Sequence, residues 1–199
     1  MTFAATIPPR KRFFNVLEIE QQLAAYDELP LILPHIDPQV TGSRNTVRQP
    51  FFLICEKDTV LAAMSGDAWV EFRDADVLRH RFLAGDFVYV PGGTPHRIVP
   101  SEPGLHVRYK ARAAGAEGVA WYCERCNGVL HRIEWDTQAV LPQDGYARAC
   151  RYYAGAIAGT PCKACRATAP ALDLNGTRWD ELAIALANEA PAVDPLAKH

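Results

Sequence analysis

The chain has 199 residues, of which 49% are hydrophobic and 22% charged, with a formal net charge of −2. That balance suits a globular chain burying one core with at most a small appendage, and it excludes collagen-like and disordered classes. It predicts no cationic face for nucleic acid and no apolar run long enough to cross a bilayer as a helix.

The opening MTFAATIPPRKRFF carries its basic residues after two prolines with no apolar stretch behind them. No secretory leader is expected, and the chain is read as cytoplasmic. Asn15 is a candidate N-cap, and Val16, Leu17, Leu23 and Ala24 can share one face, so a helix is expected over about 16–26. The following LPLILPHIDP is apolar but broken by Pro30, Pro34 and Pro38, which predicts an extended or edge segment.

From about 47 to 112 short β-rich runs follow one another: FFLICE, VLAAM, AWVEF, VLRHRF, DFVYV, RIVP and LHVRYKAR. Gly, Pro and Asp turns separate them, a pattern that predicts an all-β sandwich or barrel. His106, Arg108 and Lys110 alternate with Val107 and Tyr109, so the polar three share one face of a strand.

Four of the six cysteines form two C-x-x-C pairs, Cys123/Cys126 and Cys162/Cys165. In a reducing compartment such pairs point to a four-thiolate metal site, and tetrahedral sulfur suits iron or zinc. A pair of redox dithiols is the rival reading, though no thioredoxin-like βαβ pattern surrounds either pair. Cys55 and Cys150 read as small buried hydrophobes. Near the end, Thr177 to Asp180 resembles a capping box before a helix of about 178–189, and the tail APAVDPLAKH reads as frayed.

The run Gly85-Asp86-Phe-Val-Tyr-Val-Pro91-Gly-Gly-Thr-Pro95-His96 resembles the second cupin motif, in which such a histidine faces a small barrel and binds metal. Gly66-Asp67 would close the first motif. Met64 through His96, the run Trp121-Tyr-Cys-Glu-Arg-Cys-Asn, and the position of Cys162/Cys165 are together similar to 3-hydroxyanthranilate 3,4-dioxygenases of the cupin superfamily. The order of parts agrees from about residue 15 to 170. The resemblance implies a single cupin, jelly-roll-like β-barrel, mainly β, with an N-terminal helix and a C-terminal rubredoxin-like four-Cys segment. The corresponding divisions are 1–46, 47–112 and 113–199. It further implies a homodimer, a catalytic Fe(II) held by two His and one Glu, and opening of an aminophenol ring by O₂.

Only one of those ligands is present, at His96. Leu53 stands at the first histidine position, Thr59 at the metal glutamate, and Arg108 at a glutamate of the last barrel strand. A rebuilt metal site of His96, His106 and Asp58 or Glu56 is one expectation; a strand histidine satisfied by a neighbour is the other for His106. Arg97 and Arg108, with His96, could hold a small aromatic carboxylic acid bidentately, or the arginines could be solvated. The functional readings are therefore two. One is a dioxygenase-like enzyme using a barrel metal. The other is a non-catalytic cupin relative that binds ligand or pairs with a complete relative as a heterodimer, keeping only the four-thiolate site.

Overall fold

The computed structural model describes residues 7–189. Among the described residues, eleven strands form: β1 Leu29–Pro30, β2 Gln39–Asn45, β3 Phe52–Cys55, β4 Thr59–Ala63, β5 Asp67–Phe72, β6 Arg79–Leu83, β7 Phe87–Val90, β8 His96–Glu102, β9 Gly104–Lys110, β10 Ala116–Tyr122 and β11 Val129–Asp136. Three helices accompany them: α1 Val16–Ile19, α2 Pro142–Ala156 and α3 Trp179–Ala187.

The strands form two antiparallel sheets, ordered β1-β2-β9-β4-β7 and β11-β10-β3-β8-β5-β6. Within them, β2 to β9 make two four-stranded sheets, β2-β9-β4-β7 and β3-β8-β5-β6. From β2 to β9 the chain changes sheet at every step except the β5–β6 hairpin. This interleaving of two Greek keys is the jelly roll, the barrel of the cupins. All seven β-rich runs of 47–112 form strands of it. The sheets also draw in β1, β2, β10 and β11 from outside that range.

Period-two alternation divides the residues between faces. On β3, Leu53 and Cys55 join the main core with Leu61, Val70 and Ile98, while Phe52 and Ile54 pack outside with Ala120 and Tyr122. On β9, Leu105 and Val107 face outward, beneath Leu23, Leu29 and Leu31 of the N-terminal arm and Leu182 and Leu186 of α3. The opposite face of β9 therefore turns His106, Arg108 and Lys110 inward, and all three are buried. Where β5 approaches β9, Gly66 has φ +83°, and a Cβ there would lie 2.5 Å from Gly104 Cα.

The first helix is shorter than its pattern predicts: Val16–Ile19, then one 3-10 turn over Glu20–Gln22. Asn15 does cap it, its Oδ1 accepting from Leu17 N at 3.1 Å. The chain then turns sharply, with Tyr26 and Glu28 at positive φ. Asp27 holds this turn by accepting from Ala24 N and from the Arg178 guanidinium. The same contact corrects the capping box. Thr177 Oγ1 donates back to Leu174 O, and no side chain caps α3. Trp179 Nε1 instead donates to Tyr26 O at 2.7 Å, locking α3 onto the arm. The predicted fraying of APAVDPLAKH lies outside the described residues.

Candidate functional site: a polar barrel interior and a four-thiolate cluster

One wall of the barrel is polar. His96 begins β8 and is fully buried, with Leu53 of β3 opposite it in register. Its Nδ1 lies 2.9 Å from Thr94 O, which can only accept, so Nδ1 carries the proton and Nε2 the lone pair. Arg108 Nη1 donates to that Nε2 at 2.5 Å. Arg108 Nε is shared between the two oxygens of Glu28 at 3.1 and 3.2 Å. Thr41 Oγ1 donates to Glu28 Oε2, and Lys110 Nζ stands 3.6 Å from that oxygen. Lys110 also pairs with Glu117 Oε1 at 2.8 Å, and Tyr146 of α2 donates its hydroxyl to Glu117 Oε2. Two cations, two carboxylates and a neutral imidazole thus form one buried chain of contacts.

The electrostatics follow from that arrangement. Burial would raise the Glu28 pKa, but the Arg108 and Lys110 charges and the hydrogen bonds from Thr41 and Arg108 outweigh it and hold it at about 2. Burial first, and Arg108 second, push His96 down to about 3 and His106 to about 4. Burial opposes the charge of Lys110, yet Glu117 and Glu28 overcome it and raise its pKa. Burial pushes the Cys55 thiol up to about 12, so it is no nucleophile at neutral pH.

A barrel metal is what the cupin fold implies, and the donors present do not fit one. The His96 lone pair is engaged by a guanidinium. Leu53 offers no donor atom, and the Thr59 hydroxyl faces Arg108 Nη1 at 3.5 Å. A cation at this point would meet the fixed positive charge of Arg108. The expected rebuilt site is also not assembled. Asp58 accepts from Gly92 N and is exposed, and Glu56 accepts from Ala116 N and is exposed. His106 lies against Asn45 and stacks on Phe82 at 5.1 Å between ring centres. Among the described residues, the one group of His, Cys, Asp or Glu drawn close enough for an ion is the four cysteines.

Arg97 does not join His96 and Arg108. As the next residue along β8 it points to the outer face, where it pairs with Glu71 at 2.6 Å and lies over Phe52. Glu28, Glu117 and Tyr146 are the site residues the sequence reading missed. At the barrel mouth a pocket of about 280 Å³ is lined by Glu28, Thr41, Lys110 and Glu117, with Arg10 and Arg112 also on its wall.

The four cysteines do converge. Their sulfurs all lie within 4.8 Å of one another, with Cys123–Cys165 at 3.5 Å and Cys126–Cys162 at 3.7 Å. A tetrahedron with metal–sulfur bonds of about 2.3 Å has sulfur–sulfur edges of about 3.8 Å, so the cluster fits a metal. The two turns repeat each other. Asn127 N donates to Cys123 O and Arg166 N to Cys162 O, with Asn127 and Arg166 both at positive φ. Backbone N–H groups of Cys126 and Arg125 lower the Cys123 pKa, whereas at Cys126 the backbone of Gly128 is outweighed by the neighbouring thiols, which push it up to about 12, so a metal would displace protons on binding. All four coordination positions are filled by protein, which is the arrangement of a structural site.

No protein-family model and no curated protein matches the chain. Several solved structures are similar to parts of it. Hydroquinone 1,2-dioxygenase PnpCD, solved with Cd²⁺ and 4-hydroxybenzonitrile, aligns over 49% of this chain and 71% of its own, at 20% identity and TM-score 0.44. Hydroquinone 1,2-dioxygenase from Sphingomonas sp. TTNP3, with 4-hydroxybenzoate bound, covers 52% and 78% at 17% identity and TM-score 0.42. A cupin-2 domain protein from Shewanella frigidimarina covers 50% and 95% at 15% identity and TM-score 0.43. The strand order itself defines the class: a cupin-fold barrel carrying a four-thiolate cluster.

Proposed function

We propose that this chain is a cupin related to the 3-hydroxyanthranilate dioxygenases that binds a small aromatic carboxylic acid without a barrel iron. The observation that carries this reading is the hydrogen bond from Arg108 to His96 Nε2. It places a fixed cation where a metal would need a lone pair, and Glu28 anchors that cation on its other side. The mouth pocket has room for a single aromatic ring, being near the small end of ligand sites at about 300 Å³. Arg10, Arg112 and Lys110 line it together with Glu28 and Glu117; Lys110 is paired with both carboxylates and Arg10 with Glu189. In the four-thiolate site, a bound iron or zinc would tie the β10–β11 turn to the segment after α2, converting metal affinity into folding free energy.

The test supplies anaerobically purified protein with Fe(II) and a panel of aminophenol acids including 3-hydroxyanthranilate. The expected outcome is saturable binding by calorimetry with no consumption of O₂. Oxygen uptake that depends on added Fe(II) and is abolished by His96→Ala would overturn the reading and establish ring-cleaving chemistry in the barrel.

A further inference from the structure

We propose that the barrel interior is a binding site for a small anion, held by Arg108 Nη2 and His106 Nε2. The inference rests on the reading above and deepens it, because it places the acidic group of a ligand at two named nitrogens.

The sign of the site follows from its hydrogen bonds. Asn45 Oδ1 accepts from Tyr26 N at 3.2 Å, which fixes the amide and turns Asn45 Nδ2 toward His106. Nδ2 therefore donates to His106 Nδ1 at 2.9 Å, and the imidazole proton resides on Nε2. That Nε2–H is buried and has no acceptor. Arg108 Nη2 is likewise buried without one. The two residues are 3% and 2% exposed, and they stand two positions apart on the inward face of β9. Their Cα atoms are therefore about 7 Å apart along the strand.

The surrounding acceptors are already engaged. Both Glu28 oxygens accept from Arg108, both Glu117 oxygens accept from Lys110 and Tyr146, and His96 Nε2 accepts from Arg108. Asp67 Oδ1 on β5 is also unpaired but lies on the outward face, opposite to core-facing Ala68; of the side chains facing the barrel interior among the described residues, these two are left unsatisfied, and both are donors. An unpaired buried donor is costly, so the pair selects an occupant that accepts. A metal cation has the opposite requirement. A carboxylate, nitrate or halide meets it. The mouth pocket reaches Glu28, Thr41 and Lys110, the side chains next to Arg108 in the network.

The test uses the full chain with bromide, formate and benzoate as probes. Bromide-soaked crystals should show anomalous density within hydrogen-bond distance of Arg108 Nη2 and His106 Nε2. Formate should raise the melting temperature saturably and displace bromide. His106→Leu should weaken formate binding about tenfold, and His106→Gln, which keeps an amide donor, should recover much of it. If benzoate also displaces bromide, the natural occupant is the carboxylate of an aromatic acid. If formate and bromide alone compete, it is a free small anion. Either result supports the site. Water at the position with bromide excluded, or equal affinity in wild type and His106→Leu, would overturn it. The reading above fails separately, by a metal bound at His96.

Discussion

A guanidinium enclosed in a barrel is tolerated only when its charge is matched and most of its donors are engaged. Arg108 meets the first condition through Glu28, and the cost of breaking that pair falls on the partner left behind. Arg108→Met should therefore lower unfolding free energy by about 3–5 kcal/mol in urea titrations. Adding Glu28→Gln should recover a large part, since it removes the stranded charge. The buried histidines predict a pH dependence of definite sign. His96 and His106 titrate at about 3 and about 4 when folded, against about 6.5 unfolded. The unfolded chain thus binds more protons, and stability falls as pH drops below about 6.5, by up to about 2.7 kcal/mol per pH unit near pH 5. Glu28, held at about 2, adds a further loss between about pH 4.5 and 2. Urea midpoints measured from pH 8 to 5 check this; a flat profile would contradict the buried neutral imidazoles.

At the scale of elements, legibility depended on how far local pattern and tertiary role agreed. The strands over 47–112 announce themselves because each alternates or ends on a Gly, Pro or Asp turn, and the inward trio of β9 follows from the same period. The second helix does not. It starts on Pro142 without a side-chain cap, carries Gly145 and Gly155, and takes its place from packing rather than propensity. Gly145 sits against the Trp135 ring, where a Cβ would come within 2.3 Å of it. Gly145→Ala should therefore destabilise the fold by about 1–3 kcal/mol in spite of its better helix propensity, as denaturant titration would show. The first helical segment ends at Gln22, whose carbonyl and the Asp27 carboxylate beyond it both accept from Arg178, which lies 151 residues from Asp27 in the chain. Glu28 was invisible because in sequence it is a turn residue, and only the closed fold sends it to Arg108. Cys123, Cys126, Cys162 and Cys165 were legible because each C-x-x-C is a local ligand pair, and the metal geometry needed only that the two pairs meet.

In the whole molecule, the two sites divide the work. The barrel supplies an enclosed polar interior with a mouth, and the thiolate cluster joins the β10–β11 turn to the segment beyond α2. Stripping the cluster metal should loosen that C-terminal junction, so a strong chelator should lower the melting temperature and speed proteolysis after residue 122. The central claim is that the barrel has exchanged a metal for an ion-paired arginine, and a metal count tests it most directly. Elemental analysis of anaerobically purified protein should give one iron or zinc per chain, unchanged by His96→Ala and lost in Cys162→Ser. Two metals per chain, one of them lost with His96→Ala, would contradict the account.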